Sequence, residues 1–223
     1  MFDCGGEASS ALQRCRVNTA EIEHIFISHA HPDHCSGIPL FIQMEHLKKR
    51  EEPLDIHMPS ELVKLMNDIF AGMYLFPEKL GFPVKIDAID DEFAFKDANI
   101  EVTVVRNPHL EGNAEVISSG GYSNRMQCYS FVIESEIKKI VYSADITGTD
   151  DIAGILDDTD LLVIEGMHID LEDLPILLME KNVSECLLTH LPDEFDTDAV
   201  SNLFRKKGYV NLSFAAEGMV VFL

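Results

Sequence analysis

A run of six residues carries four side chains that can bind a metal ion: His29, His31, Asp33 and His34 in His29-Ala30-His31-Pro32-Asp33-His34. Imidazole nitrogens combined with a carboxylate suit zinc, iron or manganese better than magnesium or calcium. Alternating ligands cannot all reach one ion from an extended strand, whereas a turn at Pro32 aims two ligands at one ion and two at a second. The run therefore predicts a dinuclear metal site.

Three further candidate ligands share one position, the residue that follows a strand-like stretch. His109 comes after residues 104–108, Asp145 after residues 140–144 and His190 after residues 186–189. The first run likewise follows a β-branched stretch, and α/β folds place their sites at the carboxyl ends of strands. We therefore expect these side chains to join the run at one site.

Strand-like and helix-like patterns alternate along the chain, and we find no repeat, low-complexity stretch or Gly/Ser linker. Strands are predicted at 22–27, 54–57, 84–89, 93–95, 100–106, 128–134, 139–143, 160–165, 185–188, 210–214 and 219–222, and helices at 38–50, 61–71, 171–181 and 197–206. Sheets flanked by helices make an α/β layered sandwich the expected class, with residues 1–223 as a single domain.

The first residues, Met1 to Gly5, have the pattern of a strand that is already under way. We therefore expect either that the first strands lie upstream of Met1 or that the N-terminal strands of the fold are shortened. An incomplete strand leaves a sheet edge open, and this favours a homodimer that covers the edge.

The composition limits the partners and the compartment. The chain has 17 basic and 39 acidic residues, which gives a net charge of −22 and argues against a large nucleic-acid partner. It does not exclude a small anion held by metals. Five scattered cysteines, expected to be small buried hydrophobes, together with no signal peptide and no apolar run of membrane-spanning length, indicate a cytoplasmic protein without membrane contact.

The motif HxHxDH, followed here by Gly37, resembles the signature of the metallo-β-lactamase superfamily, and the later His109, Asp145 and His190 follow in the family's order. The resemblance implies an αββα sandwich, two β-sheets flanked by helices. It also implies two divalent metal ions, Zn²⁺ first, with Mn²⁺ or Fe²⁺ as alternatives. By position, the first ion would be held by His29, His31 and His109, the second by Asp33, His34 and His190, and both would be bridged by Asp145.

Within the superfamily, four local motifs resemble ribonuclease Z and related phosphodiesterases. Residues 2–5 look like their FDCG, 141–145 like VYSGD, 160–165 like ADLLIHEA and 188–190 like LTH. His168 lies 22 positions before His190, where these enzymes carry a histidine that touches the scissile phosphate. The resemblance implies a phosphodiesterase that attacks by a metal-bound hydroxide oriented by Asp33. His168 would bind the phosphate or protonate the leaving alkoxide, and Glu165 would orient His168.

One departure from ribonuclease Z bears on the substrate. Ribonuclease Z carries a long arm that grips transfer RNA between its third-motif histidine and the bridging aspartate. Here only 36 positions separate His109 from Asp145, and they hold no Gly/Pro-rich basic arm. A small-molecule or nucleotide-like phosphodiester is therefore the expected substrate. The residues alone do not show whether Tyr122 or Arg125 in this interval contacts it.

Four alternatives remain open. Transfer-RNA 3′ processing of the ribonuclease Z type is the first. A hydrolase of thioesters, lactones or lactams would share the metal set, but its resemblance would not extend to His168 or to the FDCG motif. Redox relatives of the flavodiiron type carry a carboxylate at position 31, where this chain has His31. A non-catalytic metal-binding module is disfavoured because all seven ligands are present.

Overall fold

The computed structural model describes residues 1–223, and the chain divides into two compact units. The first unit comprises Met1–Asp90 and Ser119–Gln127, and the second comprises Asp91–Ser118 and Cys128–Leu223. Each unit has its own β-sheet and its own apolar core. That residues 1–223 form one domain stays a prediction.

The elements alternate along the chain as an α/β protein requires. The helices are α1 Ala8–Arg14, α2 Pro32–Cys35, α3 Ile38–Leu47, α4 Ser60–Gly72, α5 Pro77–Leu80, α6 Ala114–Gly120, α7 Asp150–Ala153, α8 Leu174–Glu180 and α9 Thr197–Lys207, with 3-10 turns at Thr19–Glu21 and Glu111–Asn113. The strands are β1 His24–Phe26, β2 Leu54–Pro59, β3 Val84–Ile89, β4 Ala94–Lys96, β5 Glu101–Arg106, β6 Tyr129–Glu134, β7 Lys139–Tyr142, β8 Leu161–Glu165, β9 Glu185–Thr189 and β10 Leu212–Phe214. None of the helices combines the length and the apolar character needed to cross a membrane.

The first unit is built on a parallel sheet in the order β1-β2-β3. Its apolar face contributes Ile25 and Ile56 to a core that also holds Phe41 of α3 and Met66 of α4. The first residues add one parallel bridge, between Phe2 and Phe26.

The second unit contains a seven-stranded sheet in the order β10-β9-β8-β7-β6-β5-β4. Strands β7 to β10 pair in parallel, whereas β4 to β7 pair antiparallel. Because β5 and β7 both run antiparallel to β6, they point in the same direction. The carboxyl ends of β5, β7, β8 and β9 therefore lie along one edge of this sheet.

One difference from the predicted elements lies near the end of the chain. Residues 219–222 were expected to form a strand, but the structure has no strand there, and the Met219 amide closes a turn onto the Ala216 carbonyl at 3.0 Å. The apolar pattern of these residues did not suffice to predict a strand, because a strand also needs a neighbouring strand to pair with. Val220 and Phe222 are instead 67% and 87% exposed.

The cysteines behave largely as the sequence predicts. All five are free thiols, and Cys4, Cys35, Cys128 and Cys186 are buried while Cys15 is half-buried. Burial raises the pKa of Cys4 to about 12 and that of Cys35 to about 11. These thiols therefore stay protonated and pack as small hydrophobes.

Candidate metal centre

The run that begins at His29 changes from extended to helical backbone, as its sequence predicts. After β1 the chain passes through the buried His29 and bends at Ala30, and His31 precedes α2 with φ −65° and ψ 144°. Pro32 is the first residue of α2, where a fixed φ favours the helix and the missing N–H costs nothing. His31 thus projects from extended backbone, while Asp33 and His34 project from a helical turn.

This change of backbone brings the four side chains of the run together within the first unit. The ring centroids of His29 and His31 are 4.7 Å apart, and those of His29 and His34 are 4.1 Å apart. The Asp33 Oδ2 atom lies 3.7 Å from the His34 Nε2 atom. All four predicted ligands of the run therefore form one cluster.

Asp3 orients two of these rings, a role that the sequence analysis missed. Its Oδ2 atom contacts His34 Nδ1 at 2.7 Å, and its Oδ1 atom accepts hydrogen bonds from the Ser28 amide at 2.8 Å and hydroxyl at 2.9 Å. The Ser28 hydroxyl also contacts His29 Nδ1 at 2.9 Å. Contacts at Nδ1 orient both rings and set their tautomer, as the partners of metal-binding histidines commonly do. The FDCG motif at residues 2–5, which contains Asp3, was the sequence signal that could have indicated this role.

Two glycines allow the backbone around the run to pack closely. A Cβ atom on Gly5 would lie 2.0 Å from the Asp33 carbonyl oxygen, and one on Gly37 would lie 2.0 Å from the Gly5 carbonyl oxygen. The Cys4 amide donates to the His34 carbonyl at 2.7 Å across this contact. Only glycine fits at these two positions, so the first residues can support α2 directly.

In the second unit, three histidines surround the buried carboxylate of Asp145. His190 Nδ1 lies 3.0 Å from its Oδ1 atom, and His109 Nε2 and His168 Nδ1 lie 3.6 Å and 3.9 Å from its Oδ2 atom. One ligand atom from each of Asp145, His168 and His190 can be chosen so that all three lie within 4.8 Å of one another. The residues predicted separately from their sequence positions are therefore neighbours.

The sheet explains this convergence. His109, Asp145 and His190 follow β5, β7 and β9, whose carboxyl ends share one edge. The backbone is left-handed at Ala144 and at His190, with φ of 49° at each. Non-glycine residues adopt this conformation at a cost of roughly 1–3 kcal/mol, and such strain gathers at functional sites.

Glu165, at the end of β8, fixes the loop that carries His168. Its side chain is 1% exposed, and its Oε2 atom accepts hydrogen bonds from the Met167 amide at 2.7 Å and the His168 amide at 2.8 Å. Its Oε1 atom lies 3.2 Å from His168 Nδ1 and accepts from the Ile146 amide at 3.3 Å. The carboxylate thus holds both the backbone and the ring of His168.

A buried polar chain links the loops that carry these ligands. Asn107 accepts a hydrogen bond from the His109 amide at 3.1 Å and donates to the Ser130 hydroxyl at 3.2 Å. Ser130 donates to the Ser143 carbonyl at 2.6 Å, and the Ser143 hydroxyl accepts from the Glu165 amide at 3.1 Å. Sequence reasoning missed this chain, because single polar residues in strands carry no motif.

The donor types in both clusters fit a transition metal. Each cluster combines several imidazole nitrogens with at least one carboxylate, and neither offers the set of oxygen ligands that calcium requires. Asp3 and Glu165 supply the carboxylates that commonly orient metal-binding or catalytic histidines. The residues present therefore suit zinc, manganese or iron.

The fold and these histidine–aspartate clusters define a metal-dependent hydrolase of the metallo-β-lactamase superfamily, near its ribonuclease Z and phosphodiesterase branch. More specifically, the model of the family "Anti-Pycsar protein Apyc1" matches residues 1–215. The chain belongs to that family.

Individual relatives are similar to this chain in fold or in sequence. The metallo-β-lactamase fold protein YhfI of Bacillus subtilis superposes with a TM-score of 0.72 at 20% identity, over 98% of this chain and 84% of YhfI. The short form of human tRNase Z superposes with a TM-score of 0.71 at 19% identity, over 99% and 86%. The ribonuclease Z of Parabacteroides distasonis is 33% identical over 40% of this chain, which spans 29% of that enzyme's length. The two superpositions confirm the expected fold.

Proposed function

We propose that this protein is a phosphodiesterase that hydrolyses a small or nucleotide-like phosphodiester. The observation that supports this most directly is the placement of His168. Its imidazole lies 3.9 Å from Asp145 and is 37% exposed, so a substrate can reach it. This is the histidine whose counterpart, by the resemblance to phosphodiesterases, touches the scissile phosphate.

The metal ligands are part of the proposal. We assign the first ion to His29, His31 and His109, the second to Asp33, His34 and His190, and the bridge to Asp145. Zinc is the proposed metal, with manganese and iron as alternatives that accept the same donors. When bound, two such ions lower the pKa of water towards 7 and neutralise the phosphoryl oxygens.

The protein's own residues would carry the proton transfers. Asp33 would orient the attacking water and accept its proton as the water oxygen forms the new bond to phosphorus. His168 Nδ1 faces Glu165 at 3.2 Å, so a proton for the leaving alkoxide would come from Nε2 as the ester P–O bond breaks. Glu165 would stabilise the protonated imidazole, which makes it a positioning residue.

The test is turnover of bis(p-nitrophenyl) phosphate by metal-reconstituted protein, with a thioester and a lactam as parallel substrates. We expect phosphodiester cleavage that falls roughly 10²–10⁴-fold in His168→Ala, the usual range for a general acid. Metal content of that variant should equal that of the wild type. Small cyclic and nucleotide diesters would then be screened as natural substrates.

His24→Ala is the matched control, because His24 lies at the start of β1 in the first unit and its ring contacts His57. It should turn over at the wild-type rate. Loss of metal from His168→Ala would contradict the role of His168, and turnover of the thioester or lactam alone would overturn the substrate class.

A second candidate function is transfer-RNA 3′ processing, because curated relatives carry the name ribonuclease Z. The net charge of −22 disfavours it, as does an interval from residue 110 to 144 whose basic residues are only Arg125, Lys138 and Lys139. A precursor transfer RNA with a 3′ trailer tests it directly. Cleavage at the trailer junction would favour this function over the small diester.

A further inference from the structure

Segment Ser119–Gln127 belongs to the first unit, although the chain on both sides of it belongs to the second. The start of α4 holds the segment's end. Glu61 accepts a hydrogen bond from the Gln127 amide at 2.7 Å through Oε1, and another from the Arg125 amide through Oε2. The Gln127 side chain accepts in return from the Glu61 amide at 2.9 Å. These reciprocal bonds fix the backbone at Arg125.

The side chain of Arg125 is oriented by the same helix start. Its Nη2 atom donates to the Ser60 hydroxyl at 2.6 Å, and that hydroxyl donates to Gln127 Oε1 at 3.0 Å. Gln127 is 5% exposed, so the chain of bonds ends on a buried group. A guanidinium carries five N–H donors and can bind an anion while it also donates to Ser60.

The sheet register places this guanidinium at the edge that carries the metal-binding run. The Ile27 amide donates to the His57 carbonyl at 2.8 Å, so β1 and β2 advance together. His29 follows Ile27 by two residues and Ser60 follows His57 by three. At roughly 3.3 Å per residue both positions lie just beyond the carboxyl ends of parallel strands. Arg125 therefore lies at the edge where His29 leaves the sheet.

Arg125 places a positive charge at this edge of the sheet in a protein that is acidic as a whole. Between Arg106 and Lys138, Arg125 is the one Lys or Arg in the sequence, and the chain as a whole carries −22. An anionic substrate meets long-range repulsion over most of such a surface. A fixed cation beside the ligand run would offset that repulsion locally.

We propose that Arg125 is a substrate-binding residue whose guanidinium binds a phosphoryl oxygen of the substrate. The planar guanidinium matches phosphate geometry and holds its charge at any working pH. Ser60 and Gln127 act as positioning residues that orient it. This inference rests on the proposed phosphodiesterase function, because it assigns the cation to a phosphoryl group.

The experiment compares Arg125→Gln with Arg205→Gln, an exposed arginine in the last turn of α9 whose loss changes the net charge equally. Two quantities are measured on metal-loaded protein: kcat and KM for bis(p-nitrophenyl) phosphate, and the calorimetric Kd for inorganic phosphate. We expect Arg125→Gln to lower kcat/KM and weaken phosphate binding by about 10-fold or more, as for loss of a charged hydrogen bond. Arg125→Lys should have values of kcat/KM and Kd between those of the wild type and Arg125→Gln. Arg205→Gln should stay within about twofold of the wild type in both quantities.

The outcomes separate the two proposals. If the wild type cleaves the diester and Arg125→Gln matches Arg205→Gln in both quantities, the Arg125 assignment is wrong and the phosphodiesterase stands. If the wild type cleaves nothing but binds phosphate in an Arg125-dependent way, the anion site stands and the proposed reaction falls. If the wild type neither cleaves nor binds phosphate, both fall. Glu61 holds the backbone amide of residue 125, so the substitutions should leave the melting temperature unchanged.

Discussion

The two units supply candidate ligands in opposite ways. In the first unit, four ligands lie within six consecutive residues, and one carboxylate, Asp3, orients two of the rings directly or through Ser28. In the second unit, three histidines come from three separate loops and converge on Asp145. One cluster is made by local chain geometry and the other by the order of strands in a sheet. The second should therefore depend more on the stability of its unit.

The largest expected effect comes from Asp145, because its carboxylate contacts all three histidines of the second unit. Asp145→Asn keeps the shape of the side chain but removes its charge. We expect turnover to fall by roughly 10³-fold or more, beyond the 10–100-fold typical of residues that only orient ligands. Metal content by atomic absorption should fall below that of the wild type. Asp68→Asn, on the exposed face of α4, is the control, and full metal retention in Asp145→Asn would contradict the bridging role.

The corresponding change in the first unit is Asp3→Asn. An amide at position 3 weakens the contact to His34 Nδ1 and the bonds from Ser28, so both rings lose their orientation. We expect metal affinity to fall about 10–100-fold in a competition assay with a chelator. Because the run itself is local, the melting temperature of the metal-free protein should change little. A large loss of apo stability would show that Asp3 serves the fold and would remove this contrast between the units.

The two units should also differ in how their stability depends on pH. Every histidine of the second unit is a candidate site residue, whereas the first unit also contains the buried His57, which is not one. Burial, aided by the neighbouring His24, lowers the pKa of His57 to about 4, against the attractive effect of Asp87 and Asp55. Between about pH 6.5 and 4 the unfolded chain therefore binds a proton that the folded chain does not. Stability should fall by up to about 3 kcal/mol as the pH drops through that window.

The measurement is urea unfolding of metal-free protein at pH 7.0, 5.5 and 4.5, for wild type and His57→Leu. The variant should lose less stability between pH 7.0 and 4.5 than the wild type, whatever its stability at pH 7.0. Parallel pH profiles of the two proteins would show that His57 does not titrate as its burial implies.

The smallest expected effect tests the polar chain in the second unit. Asn107→Leu removes the acceptor for the His109 amide and the donor to Ser130 while keeping similar volume. We expect a loss of about 1–2 kcal/mol in the free energy of unfolding of the metal-free protein, with weaker metal binding as a consequence. Asn67→Leu on the surface of α4, where the amide bonds only to the Val63 carbonyl, is the control. Equal effects of the two substitutions would mean that the polar chain does not support the loops.

The features that could be predicted from the sequence are those that depend on local chain geometry, and the features that could not are those that depend on tertiary contacts. The ligand run, its turn at Pro32, and nearly every strand could be found from the sequence, because spacing and alternation are local properties. The short helices α1, α5, α6 and α7 were missed. Residues 219–222 were wrongly expected to form a strand, since pairing depends on a neighbour that the segment itself does not specify.

By itself, the sequence determined which residues have metal-binding chemistry and which superfamily they resemble, because a six-residue motif carries its geometry with it. Tertiary structure alone decided that the Asp3 carboxylate contacts His34 and that the Arg125 guanidinium donates to Ser60. It also decided that Asn107 and Glu165 each hold a separate loop by accepting backbone hydrogen bonds. Each of these contacts joins residues whose meeting depends on sheet order, register or close glycine packing. A lone polar residue gives no sign of its partner until the backbone brings the two within hydrogen-bond distance.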